Sequence, residues 1–153
     1  MSKHLLKAQK VNIQVGTQKL VSNLSFSVDA GETLGIVGES GSGKSLTSLA
    51  IMGLLPGNLH LSGKLVFKGK NLAALAPADF NALRGAQIAM IFQEPMSALN
   101  PSMRCGQQVA EMLAVHTKLR KKAREKKVIA LFEEVELPRA RQMYLAYPHQ
   151  LSG

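Results

Sequence analysis

The sequence predicts an α/β fold in two parts, and three observations carry that reading. Val11, Ile13 and Val15 alternate with polar residues, and Leu20 to Val28 continues the alternation, which is the period of a half-buried strand. The apolar run Thr33 to Val37 leads through GESGSGKS, residues 38 to 45, into a helical pattern. Beyond Asn100-Pro101 the apolar spacing turns helical. The first part is expected to cover residues 1–101 and the second residues 102–153.

Each element follows in order. In Leu20 to Val28, residues Leu24, Phe26 and Val28 share one face. Asp29-Ala30-Gly31-Glu32 is a turn. Thr33 to Val37 is β-rich and apolar on both faces, as a buried parallel strand would be. Lys44 to Leu55 reads as a helix, with Leu46, Leu49, Ala50, Met52 and Gly53 at helical spacing, and Pro56-Gly57-Asn58 ends it. GKLVFKG, residues 63 to 69, is a further strand. Pro77-Ala78-Asp79 opens a short helix reaching about Arg84. Gln87 to Phe92 is a strand, apolar at Ile88, Met90 and Ile91. In the second part Val109, Met112, Leu113 and His116 share one helical face. Val128, Leu131, Phe132 and Val135 share another, and the basic run KLRKKAREKK (118 to 127) lies between them.

Composition narrows the function classes. The chain has 153 residues, the size of one domain, and 46% of them are apolar, enough for a core. It contains no run of eighteen apolar residues, so no spanning helix is predicted. Cys105 is the single cysteine, which excludes an internal disulfide. The four histidines are scattered, without metal-ligand spacing. The formal charge of +9, from 19 basic and 10 acidic residues, favours polyanionic partners such as nucleotides, nucleic acids or anionic headgroups.

The glycine-serine stretch fits G-x-x-x-x-G-K-[ST] at Gly38, Gly43, Lys44 and Ser45, between a predicted strand and a predicted helix. The chemistry explains the residue types. Phosphate oxygens must come close to backbone N–H groups, and side chains at Gly41 or Gly43 would block the approach. The amides of such a loop curl into an anion-binding concavity, and the helix that follows aims its positive end at the same place. Lys44 adds a full charge for the outer phosphates. Ser45 offers a hydroxyl to Mg²⁺, a cation that prefers oxygen ligands.

Two further stretches refine this reading. Residues 91 to 101, IFQEPMSALNP, carry Gln93 at a strand end; its amide can ligand a metal through oxygen and orient a water. Residues 147 to 153 read YPHQLSG. In this order the three stretches resemble the nucleotide-binding domain of ABC transporters: GESGSGKS its Walker A, Gln93 its Q-loop glutamine, LSG the opening of its signature. IFQEPMSALNP and YPHQLSG are similar to the ATPase subunits of dipeptide, oligopeptide and nickel importers. The resemblance runs from about Val11 to Gly153. It implies an ABC-type P-loop NTPase domain, incomplete here: an N-terminal β-rich part with P-loop and helix, then part of the helical subdomain.

The resemblance also implies roles. Gly38, Glu39, Ser40, Gly41, Ser42, Gly43, Lys44, Ser45 and Leu46 would wrap the triphosphate of ATP. Lys44 would hold the β- and γ-phosphates and Ser45 the Mg²⁺, with Gln93 sensing Mg²⁺ and the attacking water. The loop from Glu94 to Pro101 would face membrane-embedded permease subunits. Ser152 and Gly153 would reach ATP held by the opposite subunit. The implied partners are a second, different ATP-binding subunit, the permease and, indirectly, an extracytoplasmic solute-binding protein. The implied location is the cytoplasmic face of a bacterial inner membrane.

Two departures stand out. Where the family places an adenine-stacking aromatic, this chain has Val15, which offers apolar contact without a π-face. The sequence also stops inside the signature, and no four apolar residues are followed by Asp-Glu. The Walker B strand, the catalytic glutamate and the switch histidine are therefore expected elsewhere, leaving residues 1–153 to bind nucleotide without sustained hydrolysis. One edge of the core sheet is expected to lie open. An ABC-type ATPase acting on nucleic acid or ribosomes would suit the charge, but Glu94-Pro95 and Asn100-Pro101 match the importers. A small-molecule kinase would have no use for YPHQLSG.

Overall fold

A computed structural model describes residues 4–94 and 98–151. The chain forms two compact units, Met1–Met90 and Ile91–Gly153.

The first unit is built on a four-stranded antiparallel sheet in the order β2-β1-β3-β4. Its strands are β1 (Leu6–Val15), β2 (Gln18–Val28), β3 (Leu59–Phe67) and the short β4 (Lys70–Asn71). Gly16-Thr17 closes the first hairpin, pairing Val15 with Gln18 and Leu6 with Val28. β1 also pairs with β3, from Leu6 opposite Phe67 to Val15 opposite Leu59. The β1–β2 register slips after Ala8 and the β1–β3 register after Gln9, around Lys10 at φ 49. Gly63 faces this bulge at φ 92, and a methyl there would run into the Lys10 carbonyl. β3 thus starts four residues before the predicted strand and runs through Gly63; that glycine accommodates a bulge rather than marking an end.

Alternation decides the core face. Ala8, Val11 and Ile13 of β1, Val21 of β2, and Leu65 and Phe67 of β3 are buried together. Against them pack Ala50 of α1 (Lys44–Ile51), Leu72, and Phe80 and Leu83 of α2 (Pro77–Leu83). The predicted helix over 44–55 ends sooner. Gly53 at φ 61 turns the chain and the Leu54 amide bonds back to the Leu49 carbonyl at 2.8 Å. Arg84 then covers the exposed end of α1. Its Nε donates to the Met52 carbonyl and its Nη2 to the Gly53 carbonyl, each at 2.8 Å.

Two predicted strands do not form. Residues 33–37 carry no strand pairing and are exposed, Val37 at 93%. Residues 87–92 make one isolated bridge, Ile88 with Arg84, and Ile91 is 94% exposed. The apolar pattern is present in both, but a parallel strand needs neighbours along its edges and cover on both faces. No strand among the described residues pairs with either segment.

The second unit consists of α3 (Cys105–His116), α4 (Lys121–Glu134) and α5 (Ala140–Leu145), followed by a 3₁₀ turn at Pro148–Gln150. Cys105, Val128, Phe132 and Ala140 form its centre, joined by Val109, Leu113, Tyr144 and Leu151. Gly106 lets the Tyr144 ring lie directly on α3, where any side chain would collide with it. The basic run supplies the exposed first half of α4, ahead of the buried Val128. Among the described residues, no helix is long and apolar enough to cross a membrane.

Candidate functional site

The loop over residues 38–43 is a tight structure, not a slack turn. Gly41 and Gly43 sit at φ 80 and φ 89, a region side-chain-bearing residues rarely adopt. Gly43 is pressed under β2. A methyl at this position would collide with Val21 Cγ2 and stand 3.2 Å from the Leu20 carbonyl oxygen. At Gly38 a methyl would lie 2.7 Å from Ser42 Oγ. The Ser42 amide donates to the Glu39 carbonyl at 3.2 Å. Thr47, buried in α1, donates to the Gly43 carbonyl through both its amide and its hydroxyl, each at 2.9 Å.

Helix α1 starts directly from this loop. No side chain caps its N-terminus and no acidic residue stands in its first turn. The Lys44 ammonium folds back and donates to the carbonyls of Gly38 and Glu39 at 2.7 Å and to Ser42 Oγ at 3.2 Å. One full positive charge and the positive end of a helix therefore meet at one small concavity of about 140 Å³, lined by Gly41 to Leu46. Such a seat takes an anion with several oxygens. A larger groove of about 600 Å³ runs over the sheet beside Lys7, Lys10, Phe26 and Lys64, but no helix terminus faces it. Size alone does not identify the chemistry here. The residues fit a phosphate chain: Gly41 and Gly43 take the left-handed backbone that curls the loop, a lysine stands at its rim, and Ser45 is exposed beside it.

Over residues 21–153 the chain matches the family described as ABC transporter. It belongs to the ABC transporter family. It is 46% identical over 138 residues to the oligopeptide transport ATP-binding protein OppD of Escherichia coli, covering 90% of this chain and 41% of that protein. To the dipeptide transport ATP-binding protein DppD of Bacillus subtilis it is 46% identical over 140 residues, with 90% and 42% covered. The chain thus spans less than half the length of these relatives. Its fold is that of MJ0796, a bacterial ABC transporter cassette solved as a dimer. The TM-score is 0.78 at 23% identity, over 97% of this chain and 63% of that one.

Within this ABC-type chain the predicted site residues fall as follows. Gly38 to Gly43 form the loop, and Lys44, Ser45 and Leu46 form the first turn of α1. Val15 ends β1, partly buried, opposite Gln18 and Leu59. Gln93 belongs to the second unit, exposed in a bend after Ile91 and Phe92. Ser152 and Gly153 lie outside the described residues. YPHQ forms the 3₁₀ turn, in which the Tyr147 amide donates to Gln150 Oε1 at 2.9 Å and the Tyr147 and His149 rings stack 5.7 Å apart. Sequence reasoning missed Val21 and Thr47, which brace Gly43 from both sides. Val21 was legible only as a strand residue, and nothing marked Thr47.

Proposed function

We propose that this chain seats Mg-ATP on residues 38–46 as part of the ATP-binding subunit of a peptide importer. The observation that carries the reading is the Lys44 ammonium held against its own loop beside an uncapped helix start. A triphosphate replaces those neutral carbonyl acceptors with charged phosphate oxygens, which attract the ammonium more strongly. Lys44 holds the outer phosphates, Ser45 and Gln93 ligand Mg²⁺, and Gln93 also orients water. When bound, Mg²⁺ would supply positive charge that offsets that of the phosphates. Val15 gives the base an apolar contact. Ser152 and Gly153 reach the nucleotide of a second ATP-binding subunit.

Residues 1–101 carry the nucleotide and residues 102–153 begin the helical part. The loop from Glu94 to Pro101 meets the permease subunits, and an extracytoplasmic solute-binding protein delivers the cargo. The subunit sits peripherally on the cytoplasmic face of a bacterial inner membrane. Relatives that act in oligopeptide and dipeptide transport support peptides as the solute.

Calorimetry of Mg-ATP binding, beside Lys44→Ala, tests the site. The variant is expected to bind about 10- to 100-fold more weakly, as befits the loss of a charged hydrogen-bond donor. Equal binding by the two proteins refutes the assignment.

A further inference from the structure

The Gln108 side chain, in the first turns of α3, reaches back along the chain instead of facing solvent. Its Nε2 donates to the carbonyls of Asn100 and Met103, each at 2.9 Å. Its Oε1 accepts the Asn100 amide at 2.9 Å. Two carbonyls on one side of the carboxamide and one N–H on the other fit a single orientation of the group. Asn100 in turn folds the segment on itself: its Oδ1 accepts the Ser102 amide at 2.9 Å and its carbonyl accepts the Met103 amide at 3.2 Å. Arg104, at the cap position of α3, makes no capping bond through its side chain. Among the described residues, the side-chain hydrogen bonds that tie residues 100–103 to α3 come from this one glutamine. Asn100 follows Gln93 by seven residues (100 − 93).

We infer that Gln108 is a positioning residue that joins Asn100–Met103 to α3 as one mechanical piece, so that a change of state at Gln93 is passed on to α3. This rests on the nucleotide-sensing role proposed above for Gln93. Gln108 touches neither nucleotide nor metal in this role; it acts by keeping a loop and a helix from moving separately. Coupling between sites needs such an element, one that both sides bias together.

Two substitutions separate the clasp from mere filling of space. Gln108→Glu keeps length and one acceptor but sets oxygen against the two carbonyls. Gln108→Met keeps volume and makes none of the bonds. Both are tested in the full-length subunit, assembled with its permease in proteoliposomes. The readouts are Mg-ATP affinity, amide exchange at Asn100 and Ser102, and labelled tripeptide taken up per ATP hydrolysed. Affinity is expected to stay within about twofold, since the loop at 38–46 is untouched. Exchange is expected to quicken about fivefold, the loss of a typical hydrogen bond. Uptake per ATP is expected to fall about tenfold, within the usual range of coupling between sites. Unchanged exchange overturns the clasp. Faster exchange with full uptake per ATP overturns the coupling role and leaves a local brace. A wild-type subunit that binds ATP but takes up no tripeptide refutes the proposed function and the coupling role with it, while exchange still decides whether the clasp exists.

Discussion

Strands β1 and β2 and the segments 33–37 and 87–92 are all rich in apolar residues, yet the first pair forms a sheet, whereas the other two form no ladder and stay largely exposed, with only Ile88 and Met90 half-buried. The difference lies in where each must find its partner. β2 follows β1 after a two-residue turn, so pairing demands almost no loop closure. A parallel strand needs a crossover and a neighbour that arrives from far along the chain. Apolar patterning therefore reports how much burial a segment requires. Whether it is buried depends on what else is there to pair.

The sharpest way to break this comparison is to truncate one residue from each class. Ile13 is fully buried at the centre of the sheet, whereas Val37 is 93% exposed. Ile13→Ala is expected to cost about 2–5 kcal/mol, the loss of core contacts plus a residual cavity. Val37→Ala is expected to stay within about 0.5 kcal/mol, as an exposed substitution does. Urea unfolding followed by circular dichroism reads both. A comparable cost at Val37 would mean that this segment is buried in solution, and the contrast drawn above would collapse.

The loop at 38–45 was legible for a reason unlike that of the sheet. Its residue types are dictated by how closely phosphate must approach the backbone, so the spacing survives without any knowledge of neighbours. What supports the loop was not legible. Val21 presses on Gly43 from a strand 22 residues earlier (43 − 21), and no periodicity announces such a contact. The same holds for Arg84 on the carbonyls of Met52 and Gly53, and for Gln108 on Asn100. Long polar side chains bonding to distant carbonyls leave no pattern in a sequence. The glycine at 63 misled in the opposite sense, since it looks like a strand boundary and is the seat of a bulge.

Gly43→Ala tests the loop's dependence on β2. The new methyl meets Val21 and the backbone is held at φ 89, so a loss of about 1–3 kcal/mol is expected from strain at this position. Mg-ATP binding should weaken with it. Adding Val21→Ala removes the collision but not the backbone strain, so the double variant should regain part of the binding measured by calorimetry. Binding that is unaffected in the single variant would show that the loop yields freely, which the close contact with β2 argues against.

The smallest expected effect concerns the far end of α1, and it asks whether the helix acts as a rod. Arg84 anchors that end with two backbone bonds, a third to Asn81 Oδ1 at 3.0 Å, and its guanidinium 5.1 Å from the centre of the Phe80 ring. Because the group is partly exposed, Arg84→Ala is expected to cost only about 1–2 kcal/mol in urea unfolding. Arg84→Lys should recover less than half of this, because an ammonium cannot serve both carbonyls from one planar fork. The near end is held separately, by Thr47 on the Gly43 carbonyl and by Val21 over Gly43. Mg-ATP affinity should accordingly change by less than about threefold in Arg84→Ala, as for sites without shared partners. If affinity falls in step with stability, α1 transmits its anchoring along its whole length, and the phosphate seat is braced from the Arg84 end as well as from β2.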